Sequence, residues 1–597
     1  RYAPVDDVPV LYQNEIRSIG DLAYVSHVTP QQFGAVADGV ADDGPKINLA
    51  ITAAKTLGAA VYFPAGTYRV RTMINVNGDN IRLFGAGMGK SVIKVFGEST
   101  PMNRVIGHTA NVSNLTVSDL TFLGTAVDDA PNPRRSRTFT SNGFNSALQV
   151  SGDLAPSVST VVRNITVDRV EVIGSHGLPM LFSGVRGVAR VDLSRSYNTM
   201  DWGWTWCESA VVTNSVSERG SDNGFSLSRG CTSVVAVGNY VDGCAYYGIW
   251  VSGFNVTGVP TDCGPKNFIV AGNVVKRAGR GGIHADMAPE NGSITGNTVV
   301  SVQRGDSDTP SNLVGVGIWI GGFPDTNRVA PDFWARNISI SGNTLVDCAR
   351  GGIMVAGAKV VSVTNNLIVR PGTQYLADGT TVIATNDLDQ NFGVTVLNGA
   401  QATTERLSIM GNTMVDDRAT PYMNYPWYTS GSPNAYVSNN REQGSRQSAT
   451  LTHDNGTGIN HSGIHIWTAS QRYSAGAVAG SNAGTGTVAG FDINGAAGST
   501  RLHQYQTAGL TRWTERVTAD AESGSNAGSN FAISSYTDAG VLVKHMIQMT
   551  RDGKIGFNGA NPVAPSALGA AATDAASALA LANNIRSALI ALGLATA

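Results

Sequence analysis

The chain has 597 residues, 42% of them apolar and only 14% charged, with a formal net charge of −2. A chain this close to neutral lacks the basic surplus of a nucleic-acid binder, and no apolar run is long enough to span a bilayer, so neither a nucleic-acid partner nor membrane insertion is expected. Seventy glycines among many Asn, Ser, Thr and Val residues point to strands and turns, and the length favours several domains or a repeat over a single core.

The sequence opens on Arg1 without a basic-then-apolar leader and is expected to start inside a longer protein, with residues 1–28 as a neck. The cysteines, Cys207, Cys231, Cys244, Cys263 and Cys348, are odd in number and lack paired spacing. They read as reduced, buried thiols rather than as a disulfide framework or a zinc ribbon.

From Val28 the chain runs VTPQQFGAVADGVADDGPKINLAITAAKTLGAAVYFPAGTYRV and then RLFGAGMGKSVIKV. Ile47, Ala50, Ile51 and Ala54 fall at helical spacing, and VYF and YRV read as strands. Asp38, Asp42 and Asp43 are expected at turns and at the helix N-terminus. This block resembles the N-terminal entry of the pectate-lyase-like right-handed parallel β-helix of many phage tail spikes, in which an amphipathic helix caps the open end of the coil. The glycines of FGAGMGK lie between two strands rather than before a helix, so they form no phosphate cradle.

Between Val211 and Val415 a unit V-x-V-x-G-N-x-V, a short turn and G-I-x-V recurs, as in VVAVGNYV…YGIWV and NISISGNTLV…GGIMV. Short strands of period two joined by Gly/Asn turns are what a β-solenoid coil needs. The turn Asn can adopt left-handed geometry and ladder its amide from coil to coil. Longer intervals at 303–314 and 371–390 are candidate walls of a groove. The fold class is therefore all-β, a right-handed parallel β-helix over 29–440. A β-rich, sandwich-like domain is expected over 441–560. A heptad helix is expected over 561–597, with Leu568, Ala571, Ala575, Ala578, Ala582, Ile585, Leu589 and Leu592 in its seam, suited to a parallel trimer.

Stacking the coils on the Gly of G-I-x-V gives columns of side chains about 4.8 Å apart. The residue after Gly points inward, so Ser226, Trp250, His284, Trp319 and Met354 point outward, and the rings are expected to form a platform for sugars. Two residues before the Gly, the column reads Asp201, Asp222, Tyr246, Arg280 and, beyond Gly315, Arg350. Asp201 and Asp222 on successive coils suit a paired-carboxylate glycosidase, each raising the other's proton affinity. Tyr246, Tyr247, Arg277, Arg280 and His284 suit β-elimination, in which a cation neutralises a uronate carboxylate and Tyr246 or His284 removes the adjacent proton. Glu218, Asp242 and Asp286 add further acids. They could catalyse or hold a Ca²⁺ ion, although no cofactor is expected to be needed. In DWGWTW, Trp204 and Trp206 are placed inside the coil under Phe225 and Leu227, and Trp202 is expected to be exposed to substrate. His176 reads as a turn residue, and the two histidines of HDNGTGINH lack a third metal ligand.

The resemblance implies a homotrimeric tail spike, joined to the virion through a preceding segment, that binds and depolymerises bacterial capsule or O-antigen at the host surface. The columns favour a polysaccharide lyase slightly over an endo-glycosidase, with a non-catalytic glycan adhesin as the third possibility.

Overall fold

The computed structural model describes residues 9–12, 15–18, 26–95, 101–125, 143–152, 160–228, 230–253, 264–287, 289–303, 315–321, 334–375, 382–384, 391–397, 405–429, 436–444, 460–462, 498–507, 510–522 and 527–597. The chain divides into two compact units, 1–469 and 470–597. Most of the expected groove insertions, Cys263 and most of HDNGTGINH lie outside the described residues.

The first unit is a parallel β-helix built on sheets of sixteen, fourteen and twelve strands. The chain visits them in that order, coil after coil. Ser233–Val237, Tyr240–Asp242 and Tyr247–Ser252 make one coil, pairing in parallel with Phe268–Ala271, Val274–Lys276 and Gly281–Asp286 of the next. Alternation buries one face of each strand, as with Val234 and Ala236 or Ile249 and Val251, so the core is a continuous column inside the coil. Paired strands continue to Asn460–Ser462, beyond the expected end of the repeat near 440.

Helix α1 (Gly44–Leu57) covers the N-terminal end, burying Ile47, Ala50, Ile51, Ala53 and Ala54. Asp43 precedes it but does not cap it. Its carboxylate instead accepts from the backbone N–H groups of Val36 and Ala37 at 2.8 and 3.1 Å, while Asp42 accepts from Gly44 at 3.1 Å.

The corner between the sixteen- and fourteen-stranded sheets carries the Asn ladder, with a division of labour the sequence did not show. The first turn residue, such as Gly238, Gly272, Gly296 or Asn365, takes positive φ, and the Asn after it builds the ladder. Backbone N and Nδ2 of Asn239 both donate to Oδ1 of Asn273 at 2.9 Å. The pattern repeats through Asn297, Asn343, Asn366 and Asn412 to Asn440. Each Nδ2 also donates to a backbone carbonyl of a neighbouring coil, as Asn343 does to Ile294 at 3.0 Å. These amides are buried and fully bonded, which is the condition under which buried polar groups stabilise.

The second unit contains one antiparallel sheet in sequential order: Arg501–Thr507, Leu510–Val517, Phe531–Tyr536, Leu542–Met549 and Ile555–Phe557. Among the described residues there is no second sheet facing it, as a sandwich would require. Helix α2 (Ala575–Ala591) starts later than the seam predicts. Asp574 accepts from the N–H of Ser577 at 2.7 Å and Ser577 Oγ accepts from the N–H of Asp574 at 3.0 Å, so this box fixes the first turn and leaves Leu568 and Ala571 outside the helix.

Candidate active site

The turns entering the twelve-stranded sheet stack Asp222, Tyr246, Arg280, Gly315 and Arg350 on successive coils. Each is joined to the one before it by a backbone bond: Tyr246 N to Asp222 O, Arg280 N to Tyr246 O, Gly315 N to Arg280 O and Arg350 N to Gly315 O, at 3.2, 2.9, 2.6 and 2.8 Å. The Arg280 guanidinium lies over the Tyr246 ring, 4.4 Å from its centre. Asp222, Tyr246 and Arg280 are half-buried, whereas Arg350 is buried.

Asp201 is not the next member of this stack. Trp202 pairs with Phe225, so Asp201 lies one coil below Gly224, two residues out of register with Asp222. The shift arises because Gly203 is a strand residue here and does not mark the corner that Gly224 and Gly248 mark. At that corner a side chain has no room: a Cβ on Gly248 would fall 2.3 Å from Val275 Cγ1. Asp201 is buried and accepts a short hydrogen bond from Ser226 Oγ, which also accepts from Asn223 Nδ2 at 3.1 Å. Asn223 Oδ1 in turn accepts from Tyr247 N at 3.0 Å. Burial, reinforced by the Asp201 charge and opposed by the Asn223 N–H and by Arg280, pushes the Asp222 carboxyl up to about 7. Ser226 was legible only as an outward column residue and Asn223 not at all, since neither hydroxyl nor amide stands out from a Ser- and Asn-rich background.

The outward column Ser226, Trp250, His284, Trp319 and Met354 has the expected register. Its upper part is nevertheless sealed. His284, Trp319 and Met354 are 1%, 4% and 0% exposed, and Trp319 and Met354 pack with Val316, Phe392 and Tyr425 in a cluster outside the coil. The His284 ring sits between Tyr247 and Trp319, with centroids 4.1 and 4.0 Å away. Its Nε2 meets Asp286 Oδ2 at 2.9 Å, and Trp250 Nε1 donates to Asp286 Oδ1 at 3.2 Å. An open sugar platform therefore does not run the length of the column; Trp250 and Tyr247 remain half-buried. The arithmetic of alternation gave direction, but burial depends on what packs over the sheet.

Trp202 is likewise buried, under Phe225, with Nε1 donating to Ser196 Oγ at 2.6 Å. Trp204 lies under Leu227 and stacks on Phe182, so both are core residues, and Trp206 falls in a left-handed turn after the strand. The expected register was two residues off.

Glu218, Asp242 and Arg277 belong to the outer face of the fourteen-stranded sheet and its following turn, where Glu218 pairs with Asp242 in register. Arg277 Nε donates to Asp242 at 2.7 Å and Tyr240 Oη donates to it at 3.0 Å. Arg370 and Asp347 make the same coil-to-coil bond at 2.7 Å, so this pair recurs as a device of the coil. His176 lies in a bend, as expected of a turn residue. Cys207, Cys231, Cys244 and Cys348 are free and buried, and burial pushes the Cys244 and Cys348 thiols up to about 12. Among the described residues no three His, Cys, Asp or Glu side chains assemble a metal site, and both Asp286 oxygens are engaged. No described helix is long and apolar enough to cross a membrane.

Coil, helical cap and stacked turns define a parallel β-helix. Residues 28–124 match the family model described as rhamnogalacturonase A/epimerase, pectate lyase-like. Mannuronan C5-epimerase AlgE3 of Azotobacter vinelandii is 35% identical over 156 residues, covering 24% of this chain and 8% of that protein. Alginate lyase 7 of the same organism is 33% identical over 156 residues, covering 24% and 16%. This chain thus spans only a small part of the length of these relatives. Among solved structures, the Dettilon tailspike protein aligns over 87% of this chain and 79% of its own, with 13% identity and a TM-score of 0.42.

Proposed function

We propose that this chain is an endo-acting polysaccharide lyase for an acidic glycan, with Asp222, Tyr246 and Arg280 as its working residues. The observation that carries this reading is their placement on three successive coils, joined by backbone hydrogen bonds, which sets an acid, a phenol and a cation about 4.8 Å apart along one line. Arg280 pairs with a uronate carboxylate and stabilises the charge that develops when the adjacent carbon loses its proton. Tyr246, acting as its phenolate, takes that proton and becomes the phenol, the bond to the 4-linked oxygen breaks, and a carbon–carbon double bond forms between C4 and C5. Asp222, still protonated in part at neutral pH, gives a proton to the departing oxygen. Buried His284, held by Asp286, positions Tyr247 and is not itself the base. Uronate-processing names among the relatives, mannuronan epimerase and alginate lyase, support a substrate of this class.

A paired-carboxylate hydrolase is the second reading, favoured by the effect of Asp201 on Asp222. Its weakness is that Asp201 is buried and bonded to Ser226. The proposal extends to a homotrimeric phage tail spike acting on capsule or O-antigen at the bacterial surface. Its support is the resemblance of the N-terminal block and the apolar residues exposed on α2, Leu579, Ile585 and Leu589.

The test is incubation with acidic capsular and O-antigen polysaccharides in deuterated buffer, following the ultraviolet absorbance of the new double bond, reducing ends and deuterium at C5. Absorbance rising with reducing ends is expected. Reducing ends alone would establish hydrolysis, deuterium without cleavage would establish epimerisation, and binding with no product would establish an adhesin.

A further inference from the structure

The outer face of the sixteen-stranded sheet changes character along the stack. Its lower coils carry Arg190 and Asp192 above Thr166 and Asp168. Above them, the two in-register columns that start at Val211 and Thr213 and reach Ser408 and Met410 hold only Val, Ile, Ala, Ser, Thr and Met. Four consecutive coils read S-I-T, S-I-S, S-V-T and S-I-M at 293–295, 339–341, 362–364 and 408–410. The adjoining face of the fourteen-stranded sheet matches them coil for coil, with T-V-V, T-L-V, L-I-V and T-M-V at 298–300, 344–346, 367–369 and 413–415. The corner between the two faces is low, because a Cβ placed on Gly296 or Gly342 would meet nothing within 4 Å. Ile269, Val360 and Leu367 stand 46%, 43% and 38% exposed. Glu290, Arg336 and Lys359, aligned in register, bound the far edge of the patch.

We infer that this ridge is the surface on which copies of the chain pack side by side. A charge-free face has nothing to offer an acidic glycan, and a flat sheet has no cavity for a small ligand. A second copy, in contrast, presents the same coil rise, so ridges and grooves of the two stacks stay matched along the whole height. The strands of these seven coils, four to seven residues long, and the four adjoining three-residue strands give roughly 800 Å² per chain, matching the roughly 800 Å² per partner of a stable interface. A charged rim around an uncharged centre is the usual anatomy of such a contact. The Asp222–Tyr246–Arg280 line lies at the opposite end of the fourteen-stranded strands, so packing through the ridge leaves it open to polymer. The number of copies rests on the trimer of the preceding proposal; the face does not.

Leu367→Cys and Tyr197→Cys test the inference, because these outward residues of the same sheet are 38% and 37% exposed in the single chain. Labelling of the native protein by a polymer-linked maleimide is compared with the parent, together with the mass in solution by light scattering. An oligomer in which Leu367→Cys labels on the order of tenfold more slowly than Tyr197→Cys is expected, with equal rates in denaturant. Equal native rates in an oligomer would overturn the ridge and spare the oligomer; a monomeric mass would overturn both.

Discussion

Asp222→Asn isolates the electrostatics of the stacked turns. A carboxyl that titrates near 7 in the folded chain and near 3.8 when unfolded binds a proton in the folded state that the unfolded state has already lost. Stability therefore falls as pH rises from about 4 to about 7 and is flat above, by linkage. The full difference corresponds to about 4 kcal/mol; contact of this half-buried group with water reduces it to on the order of 1–3 kcal/mol. The neutral amide escapes the cost, so Asp222→Asn melts higher than the parent at pH 8 and at the same temperature at pH 4. Asp201→Asn removes only the smaller cause, the neighbouring charge, and keeps most of the pH dependence, because burial is the larger one. Melting curves of the three proteins between pH 4 and pH 8 measure this directly. If parent and Asp222→Asn show the same pH dependence, Asp222 titrates as an ordinary carboxyl and its role as proton donor to the leaving oxygen falls with it. In the same variant, turnover on a cleaved polysaccharide drops while affinity is retained.

Asn343→Ala breaks the ladder in its middle, stranding both donors of Asn297 and leaving Asn366 Oδ1 only the backbone N–H of residue 343, and costs about 2–4 kcal/mol by chemical denaturation. Trp202→Ala leaves a cavity under Phe225 costing about 3–5 kcal/mol, whereas Trp202→Phe leaves glycan affinity unchanged by calorimetry; a selective loss of affinity would return Trp202 to the groove. Arg277→Ala removes an exposed partner of Asp242 and lowers stability by less than about 1 kcal/mol, with no change in turnover. Asp574→Ala takes away the cap of α2, visible as lost helical ellipticity.

How far the sequence carries can be judged from single positions. The period-two strands, the Asn turns and the helical cap follow from local chemistry repeated coil after coil, so the β-helix and the columns above Phe225 are legible without coordinates. The register of Trp202 and Asp201 is not, because that coil lacks the corner Gly and a shift of two residues keeps inward and outward faces the same. Nothing in the alternation distinguishes the two placements; only strand pairing with Phe225 does. That a helix closes the second unit is legible, but its start depends on the reciprocal bonds of Asp574 and Ser577, which no apolar spacing reveals.

What the sequence by itself determined is therefore the coil and the direction of its side chains, since both depend on interactions a few residues apart repeated along the chain. The tertiary structure decided which outward residues are available. It sealed His284 and Trp319 beneath neighbouring rings, left Asp222, Tyr246 and Arg280 half-open, and placed Asp201 where its charge reaches Asp222 without stacking on it. Burial and electrostatic coupling are sums over groups distant in sequence, and they acquire values only when the coils are stacked.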